Sequence, residues 1–286
     1  MLFHLIPIGN APPNPPPLIV RYWDFLRDLV LHASLGAGFF GGRRITQQVI
    51  QAAPITAAVV VGGAFLWVLV STVLGVLTAL RPRSLFDRGV LVFALLSISA
   101  PPVWFALVLS YVIGFRLHWT PIAGYCEAFT PPPGSLCGGV HAWFTHLILP
   151  WISFALVFIA LYTRLMRSNV MEELQQDYVR TARAKGASEG RILSRHVSRN
   201  VALTLVTMVG MDFGIALGGA AWTEVVFGLP GLGETIYLSV QTENWPVVQG
   251  IVIFTSLCVI AVNLLVDLLY AVVDPRVRVA ATFAAA

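Results

Sequence analysis

Three acidic residues, Asp212, Glu224 and Asp267, lie inside or near the ends of long apolar segments. A carboxylate near the middle of a membrane is costly unless it is paired, hydrated or protonated, so each is a candidate for a functional role. Asp212 is the deepest, and it could line a transport pathway and attract a positively charged group. It could equally form a hydrogen bond between helices. Glu224 is a second pathway candidate, although Glu224 and Asp267 lie nearer the segment ends, which favours a structural role.

Two of the three cysteines, Cys126 and Cys137, share one short connection, whereas Cys258 lies in an apolar segment. Outside the cytoplasm a disulfide is chemically permitted, and closing this loop would stabilise the protein by ~2–3 kcal/mol. His118 and His141 flank the same connection, so a metal site is the alternative. The spacing matches no zinc signature, and we therefore predict a disulfide and no metal site.

The longest charged run covers residues 177–200, called the charged loop below, and it contains Lys185, the only lysine. Asp177 is predicted to cap a short helix that begins at Tyr178. Gly186 is predicted to end that helix, because glycine readily adopts the left-handed conformation found after a helix C-terminus.

A second helix of the charged loop is predicted to be capped by Ser188, with Glu189 in its first turn, where the helix dipole favours an acid. At 100° per residue this helix has a basic stripe and an apolar stripe about 200° apart. The basic stripe consists of Arg191, Arg195 and Arg199, and the apolar stripe of Leu193, Val197 and Val201. Such a helix is typical of a membrane surface, with lipid on one side and headgroups or a partner on the other. An ordinary positively charged connection is the alternative.

Sequence motifs exclude several classes of enzyme. The chain contains no Gly-x-Ser-x-Gly, no HExxH and no GxGxxG after a strand. A phosphate-binding loop needs Gly-Lys-Ser/Thr, and Lys185 follows Ala184, so this chain cannot itself be an ATPase. The net charge of +4 comes from basic residues in the connections and forms no base-reading motif, so nucleic acid is not an expected partner.

The elements that position these residues are long apolar helices. The chain has 286 residues and is 57% hydrophobic, which is typical of a membrane protein. Five segments reach the ~20 residues needed to cross a bilayer. They cover residues 56–80, 89–117, 143–165, 202–226 and 247–273.

Two of these segments carry further signals. Pro101 and Pro102 should break or kink the second segment, where neighbouring helices must satisfy the freed carbonyl groups. In the fourth segment Gly210, Gly214 and Gly218 recur every four residues. They form a smooth strip on one face, and we predict that it serves close helix packing.

Basic residues alternate between the connections, which predicts the orientation. The connection 81–88 has three arginines, the connection 164–200 has eight basic residues, and the tail adds Arg276 and Arg278, whereas 118–142 and 227–246 carry none. The basic connections and the C-terminus are therefore predicted to be cytoplasmic. The same alternation places residues 18–55 outside, where residues 22–26 are predicted to form an amphipathic helix.

The charged loop also supports a family resemblance. Residues 178–186, YVRTARAKG, resemble the cytoplasmic "EAA" loop of permease subunits in ATP-binding-cassette (ABC) importers, and more narrowly the B-type permease of dipeptide and oligopeptide importers. The resemblance covers roughly residues 20–278. It continues through Arg195-His196, Arg199-Asn200 and residues 218–220, 223–227, 230–233, 246–250, 263–270 and 274–278. The general pattern begins with Glu where this chain has Arg180, a departure that peptide-type permeases often share.

The resemblance implies an all-α polytopic membrane protein, an ABC importer type I permease-like helical bundle with five full spans here. Residues 56–278 would form the transmembrane domain and 164–200 its cytoplasmic coupling loop. Its loop residues for ATPase contact would be Tyr178, Arg180, Ala182, Arg183, Lys185, Gly186, Arg191 and Arg195.

The implied function is half of the translocation pathway for peptides or related small solutes in a bacterial inner membrane. The implied partners are a second homologous permease, two cytoplasmic ATPases that bind the ATP, an extracytoplasmic substrate-binding protein and membrane lipid. The alternative is a secondary transporter or channel that uses Asp212 as a proton or cation site. That class predicts weakly related halves, and no internal repeat is visible in this sequence.

The N-terminus departs from the family. Residues 1–17 are too short and too rich in proline to span a bilayer, and they lack the basic start and cleavage site of a signal peptide. Residues 2–7 resemble the last turns of the first transmembrane helix of the family. We therefore expect residues 1–17 to be the remnant of that helix and a proline-rich linker, followed by the extracytoplasmic segment 18–55. A short tail, 279–286, ends the chain.

Overall fold

The apolar segments form long helices. The structure is a computed structural model, and it describes residues 17–32, 34–36, 38, 44–129 and 137–273. The expectations for residues 1–16 and for the tail that carries Arg276 and Arg278 lie outside these residues. The helices of the described part are α1 (Leu18–His32), α2 (Ile45–Leu80), α3 (Leu85–Ser99), α4 (Pro102–Leu109), α5 (Val140–Glu173), α6 (Asp177–Ala184), α7 (Glu189–Ile192), α8 (Ser198–Phe227), α9 (Leu232–Gln241) and α10 (Trp245–Val273).

Four stretches of the described residues are long and apolar enough to cross a membrane: Ile45–Leu80, Val140–Glu173, Glu189–Phe227 and Trp245–Leu268. They correspond to the first, third, fourth and fifth predicted spans. The second predicted span is divided into α3 and the helix Pro102–Arg116, in which a π-helical turn, Ser110–Arg116, continues α4. The axes of the two parts differ by 104°, and the pair counts as a fifth span only if it crosses the membrane as one unit.

The break between α3 and α4 lies where the two prolines predicted it. Ala100 and Pro101 both have extended backbone, with ψ of 140° and 139°. Pro101 has no N–H to continue the ladder of α3, and Pro102 occupies the first position of α4, which suits its fixed φ. The predicted break of the second span is therefore confirmed.

Several boundaries differ from those predicted. The first span begins at Ile45 and not at residue 56, so α2 enters the segment that we assigned to the exterior. The connection that we began at residue 164 begins only after Glu173, because the apolar face of α5 continues for two further turns over Met166 and Val170. Helix α9 was not predicted, since its ten residues are too few for a span. Helix α1 contains the predicted amphipathic helix at residues 22–26.

The core of the bundle lies between α2, α5 and α8. Trp67 of α2 is 1% exposed, and its ring stacks on Phe158 of α5 with centroids 4.4 Å apart. Trp151 of α5 donates its indole N–H to the Ala58 carbonyl of α2 over 2.9 Å. Because α5 runs parallel to α2, with Trp151 beside Ala58 and Phe158 beside Trp67, its C-terminus carries the charged loop at the same end of the bundle as the α2–α3 turn.

Candidate functional site

Helix α6 forms the first half of the charged loop, and its start differs by one residue from the prediction. The capping position is Gln176, with extended backbone and no side-chain cap, and Asp177 is already helical. The Asp177 carboxylate lies instead 3.4 Å from Nη1 of Arg180, with both side chains largely exposed. The predicted cap by Asp177 is therefore wrong, because its side chain faces the next turn of its own helix.

Gly186 ends α6 as predicted. It has a φ of +80°, its N–H donates to the Arg183 carbonyl over 2.9 Å, and the following Ala187 N–H donates to Ala182 over 3.1 Å. These two bonds define a Schellman motif, in which a glycine satisfies the last carbonyl groups of a helix by turning left-handed. An added Cβ at Gly186 would meet no atom within 4 Å, so its hydrogen atoms face open space.

The second helix of the charged loop begins at Glu189, as predicted, but Ser188 forms no side-chain cap. Glu189 accepts two hydrogen bonds from the Arg183 guanidinium, at 2.8 and 3.1 Å. This exposed ion pair links α6 to α7 across the Schellman turn. The pairing raises the pKa of Arg183 above its ordinary value, chiefly through the hydrogen bond to Glu189.

A π-helical turn over Leu193–Val197 joins α7 to α8 and lies within the two predicted stripes. The Ser198 N–H donates to the Leu193 carbonyl, five residues back. One extra residue in the turn shifts the register, so the buried residues are Ile192, Val197 and Val201, whereas Leu193 is only half-buried. The predicted apolar stripe is therefore confirmed at Val197 and Val201, Leu193 packs partly buried against the same cluster, and Ile192 is a buried residue that the stripe did not include. The arginines of the basic stripe, Arg191, Arg195 and Arg199, are all exposed.

The apolar side of the charged loop packs against protein, which corrects the expectation that it faces lipid. Val179 of α6 and Ile192 of α7 are both 0% exposed and belong to one buried cluster with the ends of α2 and α5. The cluster contains Ala79, Met166, Val170, Val179, Ile192, Val197 and Val201. The loop is thus fixed to the two longest helices of the core.

The end of α5 holds the loop through a polar contact as well. The Glu173 carboxylate accepts a hydrogen bond from the Tyr178 hydroxyl and another from Asn200 Nδ2, the latter over 3.2 Å. Burial and the bond to Glu173 raise the pKa of Tyr178 to about 12, so its hydroxyl remains a donor at neutral pH. One carboxylate therefore connects α5, α6 and α8.

The outer surface of the loop is basic. Most of the residues assigned to it by resemblance are exposed, and Ala182 is half-buried. The exposed residues are Tyr178, Arg180, Arg183, Lys185, Gly186, Arg191 and Arg195. The structure thus combines a fixed apolar underside with a charged face that has room for a partner.

Glu224 lies in the last turn of α8 and is 0% exposed. Its Oε2 accepts hydrogen bonds from the N–H groups of Gly233 and Glu234, over 2.7 and 3.2 Å, at the N-terminus of α9. A carboxylate is favoured there because it satisfies free N–H groups and faces the positive end of the helix dipole. The geometry favours an anchoring role for Glu224 over the pathway role.

Thr56 completes this anchor from a distant part of the chain. Its Oγ1 accepts a hydrogen bond from the Leu232 N–H over 2.8 Å, across 176 residues of sequence. At Gly233 an added Cβ would lie closer than 3.0 Å to Ala221 Cα, and at Gly231 it would lie as close to the Glu224 carboxylate. The first turn of α9 therefore rests directly on α8.

Asp212 is half-buried on α8, and its Oδ2 accepts a hydrogen bond from the hydroxyl of Tyr162 on α5 over 2.7 Å. Tyr162 is 0% exposed. This is the interhelical hydrogen bond that the sequence left open as one of two roles, and a pathway role for Asp212 stays a prediction. Asp267, the third acidic residue, is exposed near the end of α10.

We expect Tyr162→Phe to destabilise the bundle by about 1 kcal/mol, because it removes the donor to a carboxylate within the membrane. Thermal unfolding in detergent measures this loss. Tyr111→Phe is the control, since Tyr111 is half-exposed and its hydroxyl accepts from Arg116 within the π-helical turn that follows α4. Equal unfolding temperatures for Tyr162→Phe and the wild type would show that the hydrogen bond contributes nothing to stability.

The three glycines of α8 differ in their surroundings. An added Cβ at Gly210 would lie 2.6 Å from Cγ1 of Val266 on α10, and at Gly214 it would lie 3.5 Å from Val259. At Gly218 it would meet nothing within 4 Å. The close approach of α8 and α10 therefore depends on Gly210, whereas a side chain at Gly218 would face open space.

Cys126 and Cys137 are joined by a disulfide, with Cα atoms 5.4 Å apart. The histidine beside them is His146 and neither of the two that the sequence singled out. Its Nε2 lies 3.4 Å from Cys126 Sγ, and its Nδ1 lies 2.7 Å from the Ala142 carbonyl. The three side chains place their ligand atoms within 4.8 Å of one another, but both sulfurs are used by the disulfide.

We expect a non-reduced digest of the mature protein to contain the peptide that links Cys126 to Cys137, and mass spectrometry detects it directly. Cys258 serves as the internal control, because it is a free thiol and should be alkylated after unfolding without reduction. Recovery of both loop cysteines as alkylated thiols under the same conditions would rule out the disulfide.

The end of the bundle opposite to the charged loop contains an open cavity of about 1010 Å³. It lies between the start of α2, the cysteine-containing connection and the turn that follows α9. Its lining combines amide, carboxylate and aromatic side chains, among them Gln51, Glu127, Trp143 and Asn244. Its volume is sufficient for a small solute.

Comparison with known proteins is consistent with this arrangement. The family model for the inner membrane component of binding-protein-dependent transport systems matches residues 71–279. A putative peptide transport system permease protein of Brucella abortus (strain 2308) is 36% identical over 262 residues, which cover 92% of this chain and 81% of that protein. The di/tripeptide transport system permease protein of Pseudomonas aeruginosa is 33% identical over 283 residues, with the same coverage.

A solved structure has the same fold. The MetNI methionine ABC transporter, in an inward-facing conformation, contains a chain that matches with a TM-score of 0.62 at 14% identity, covering 80% of this chain and 97% of that one. The helical bundle and the match over most of the sequence therefore support the same family assignment. The chain belongs to the family of inner membrane components of binding-protein-dependent transport systems.

Proposed function

We propose that this chain is the permease subunit of an ATP-driven importer and forms half of a pathway for peptides or related small solutes. The observation that carries the proposal is the construction of the charged loop. Its underside is buried on α2 and α5 through Val179 and Ile192, and its exposed face is basic and ends in the open left-handed turn at Gly186. Such a surface is suited to binding a partner whose movement is transmitted through the loop to α2 and α5.

The partners in this proposal are a second homologous permease, two cytoplasmic ATPases and an extracytoplasmic substrate-binding protein. The ATPases bind the ATP, because the chain has no phosphate-binding loop. The charged loop and the C-terminus face the cytoplasm, since the basic connections lie on that side by the positive-inside rule. The chain is thus a multi-pass protein of the bacterial inner membrane with its ATPase-binding surface inside.

Mechanical coupling follows from the packing of the loop. Closure of the ATPases around ATP displaces α6 and α7. Because Val179 and Ile192 share one buried cluster with Met166 of α5 and Ala79 of α2, these helix ends move with the loop. Packed side chains rearrange between discrete states and deform little, so a small displacement tilts the spans between inward- and outward-open forms.

The substrate class rests on the relatives, whose names describe peptide and di/tripeptide transport. The open cavity at the end of the bundle opposite to the charged loop provides a place where a small solute enters from the binding protein. In this proposal the binding protein selects among peptides, and the permease forms the pathway through the membrane.

Site-specific photo-crosslinking in native membranes tests the proposal. A photoreactive residue at Arg180, whose side chain is 73% exposed on the charged loop, should crosslink to the ATPase subunit. The matched position is Trp119, which is 73% exposed at the opposite end of the bundle, and it should give no ATPase crosslink. Absence of ATPase crosslinks from Arg180, or equal crosslinks from both positions, would contradict the proposal.

A further inference from the structure

An ion pair joins α3 to α5 at the end of the bundle that carries the charged loop. Asp87 and Arg167 are 80 residues apart in sequence, and they form two hydrogen bonds, Nε to Oδ1 over 2.6 Å and Nη2 to Oδ2 over 2.9 Å. The Asp87 side chain is 3% exposed and that of Arg167 is 21% exposed. This bidentate geometry fixes both the distance and the orientation of the two side chains.

The Asp87 carboxylate is also held by its own backbone turn. Oδ2 accepts a third hydrogen bond, from the Arg83 N–H over 2.9 Å, and the Asp87 N–H donates to Oγ of Ser84 over 3.1 Å. Ser84 is the N-cap of α3, so the acid lies in the first turn of that helix, where the dipole favours it. Asp87 therefore cannot change partner without disturbing the start of α3.

Arg167 lies on the part of α5 that supports the charged loop. Its neighbour Met166 and the following Val170 both belong to the buried cluster that contains Val179 of α6 and Ile192 of α7. The guanidinium thus connects α3, the first member of the bent pair, to the segment of α5 that packs against the charged loop. Helix α4, the second member, follows α3 across the proline break.

A buried ion pair is an expensive way to stabilise a protein, because the cost of removing two charges from water offsets most of their attraction. Apolar side chains of similar size hold helices together as well. A bidentate ion pair also fixes the position of one helix relative to the other. Such a contact is useful where movement of one helix must be transmitted to its neighbour.

We propose that the Asp87–Arg167 pair is a positioning contact that makes α3 and α4 follow the movement of the charged loop during transport. In this proposal the pair binds neither the solute nor the ATPases, and it acts through α5. This inference rests on the proposed function, since it concerns how ATP hydrolysis elsewhere is converted into movement of the spans.

The test uses the complete complex in proteoliposomes, with hydrolysis of ATP and uptake of a labelled dipeptide measured on the same samples. Asp87→Asn preserves the shape of the side chain and removes its charge. We expect ATPase recovery and hydrolysis close to wild type, and a fall of about tenfold or more in uptake per ATP hydrolysed, because the guanidinium loses its counter-charge. Arg167→Lys keeps the charge without the bidentate fork and should lie between Asp87→Asn and the wild type.

Arg88→Gln is the matched control, because it removes an exposed charge next to Asp87 and neither member of the pair. Unchanged uptake per ATP in both Asp87→Asn and Arg167→Lys overturns the inference. So does a parallel loss of hydrolysis, uptake and thermal stability, or a failure of both variants to assemble, because the pair then serves folding alone. A wild-type complex without ATP-driven dipeptide uptake contradicts the proposed function instead.

Discussion

Gly186→Leu is expected to leave the permease inserted in the membrane and paired with its sister subunit, while recovery of the ATPases and uptake of a labelled peptide fall about tenfold or more. Gly186 has a φ of +80°, where a side chain adds strain of about 1 kcal/mol. Within the chain the leucine would meet open space. The larger effect would therefore arise from a clash with the ATPase that the proposed function places in that space.

Two controls separate strain from docking. Gly36→Leu carries the same backbone strain, since Gly36 is exposed, has a φ of +85° and would place its Cβ in open space, but it lies before α2, at the opposite end of the bundle. Ser168→Leu places a leucine on the exposed side of α5 before the charged loop and should also have little effect. ATPase recovery and uptake in Gly186→Leu as high as in these controls would mean that the loop is only a charged connection.

Gly233→Ala is expected to lower the stability of the permease by about 3 kcal/mol or more, because the new methyl group overpacks a rigid contact. Its Cβ would lie closer than 3.0 Å to Ala221 Cα, a backbone atom of α8 that cannot move aside. Helix α9 must then shift, and its N–H groups lose the Glu224 carboxylate, which remains buried. Thermal unfolding of the purified subunit measures the loss.

Gly218→Ala is the matched control for Gly233→Ala, because it adds the same methyl group to α8 where no atom lies within 4 Å. It should unfold at the wild-type temperature. Glu224→Leu should resemble Gly233→Ala, since it removes the cap of α9 and leaves two N–H groups without an acceptor. A wild-type unfolding temperature for Gly233→Ala would contradict the close packing of α9 on α8.

The features predicted from sequence are those with a local cause. Long apolar runs predicted the spans, two adjacent prolines predicted the break after Ala100, and a glycine after a short charged helix predicted the Schellman turn at Gly186. Each depends on the conformational preferences of a few neighbouring residues. The predicted start of the first span and the predicted end of the third were wrong. Both helices, α2 and α5, continue beyond their most apolar residues because their ends pack against other parts of the protein.

The features that sequence reasoning missed depend on contacts between distant residues. Thr56 meets the N-terminus of α9 across 176 residues, and Asp87 meets Arg167 across 80. The π-helical turn before Ser198 shifts the register by one residue, which no periodicity of 100° per residue detects. A weak signal existed for Asp87, since Ser84 and Asp87 have the spacing of a capping box.

The most direct test of the central claim is uptake of a labelled dipeptide by proteoliposomes that contain this permease, its sister subunit and the two ATPases. Uptake should require ATP on the side that the charged loop faces and the binding protein on the other side, and it should not respond to an ion gradient. Uptake driven by a proton or cation gradient without ATP, and abolished by Asp212→Asn, would contradict the account and identify a secondary transporter.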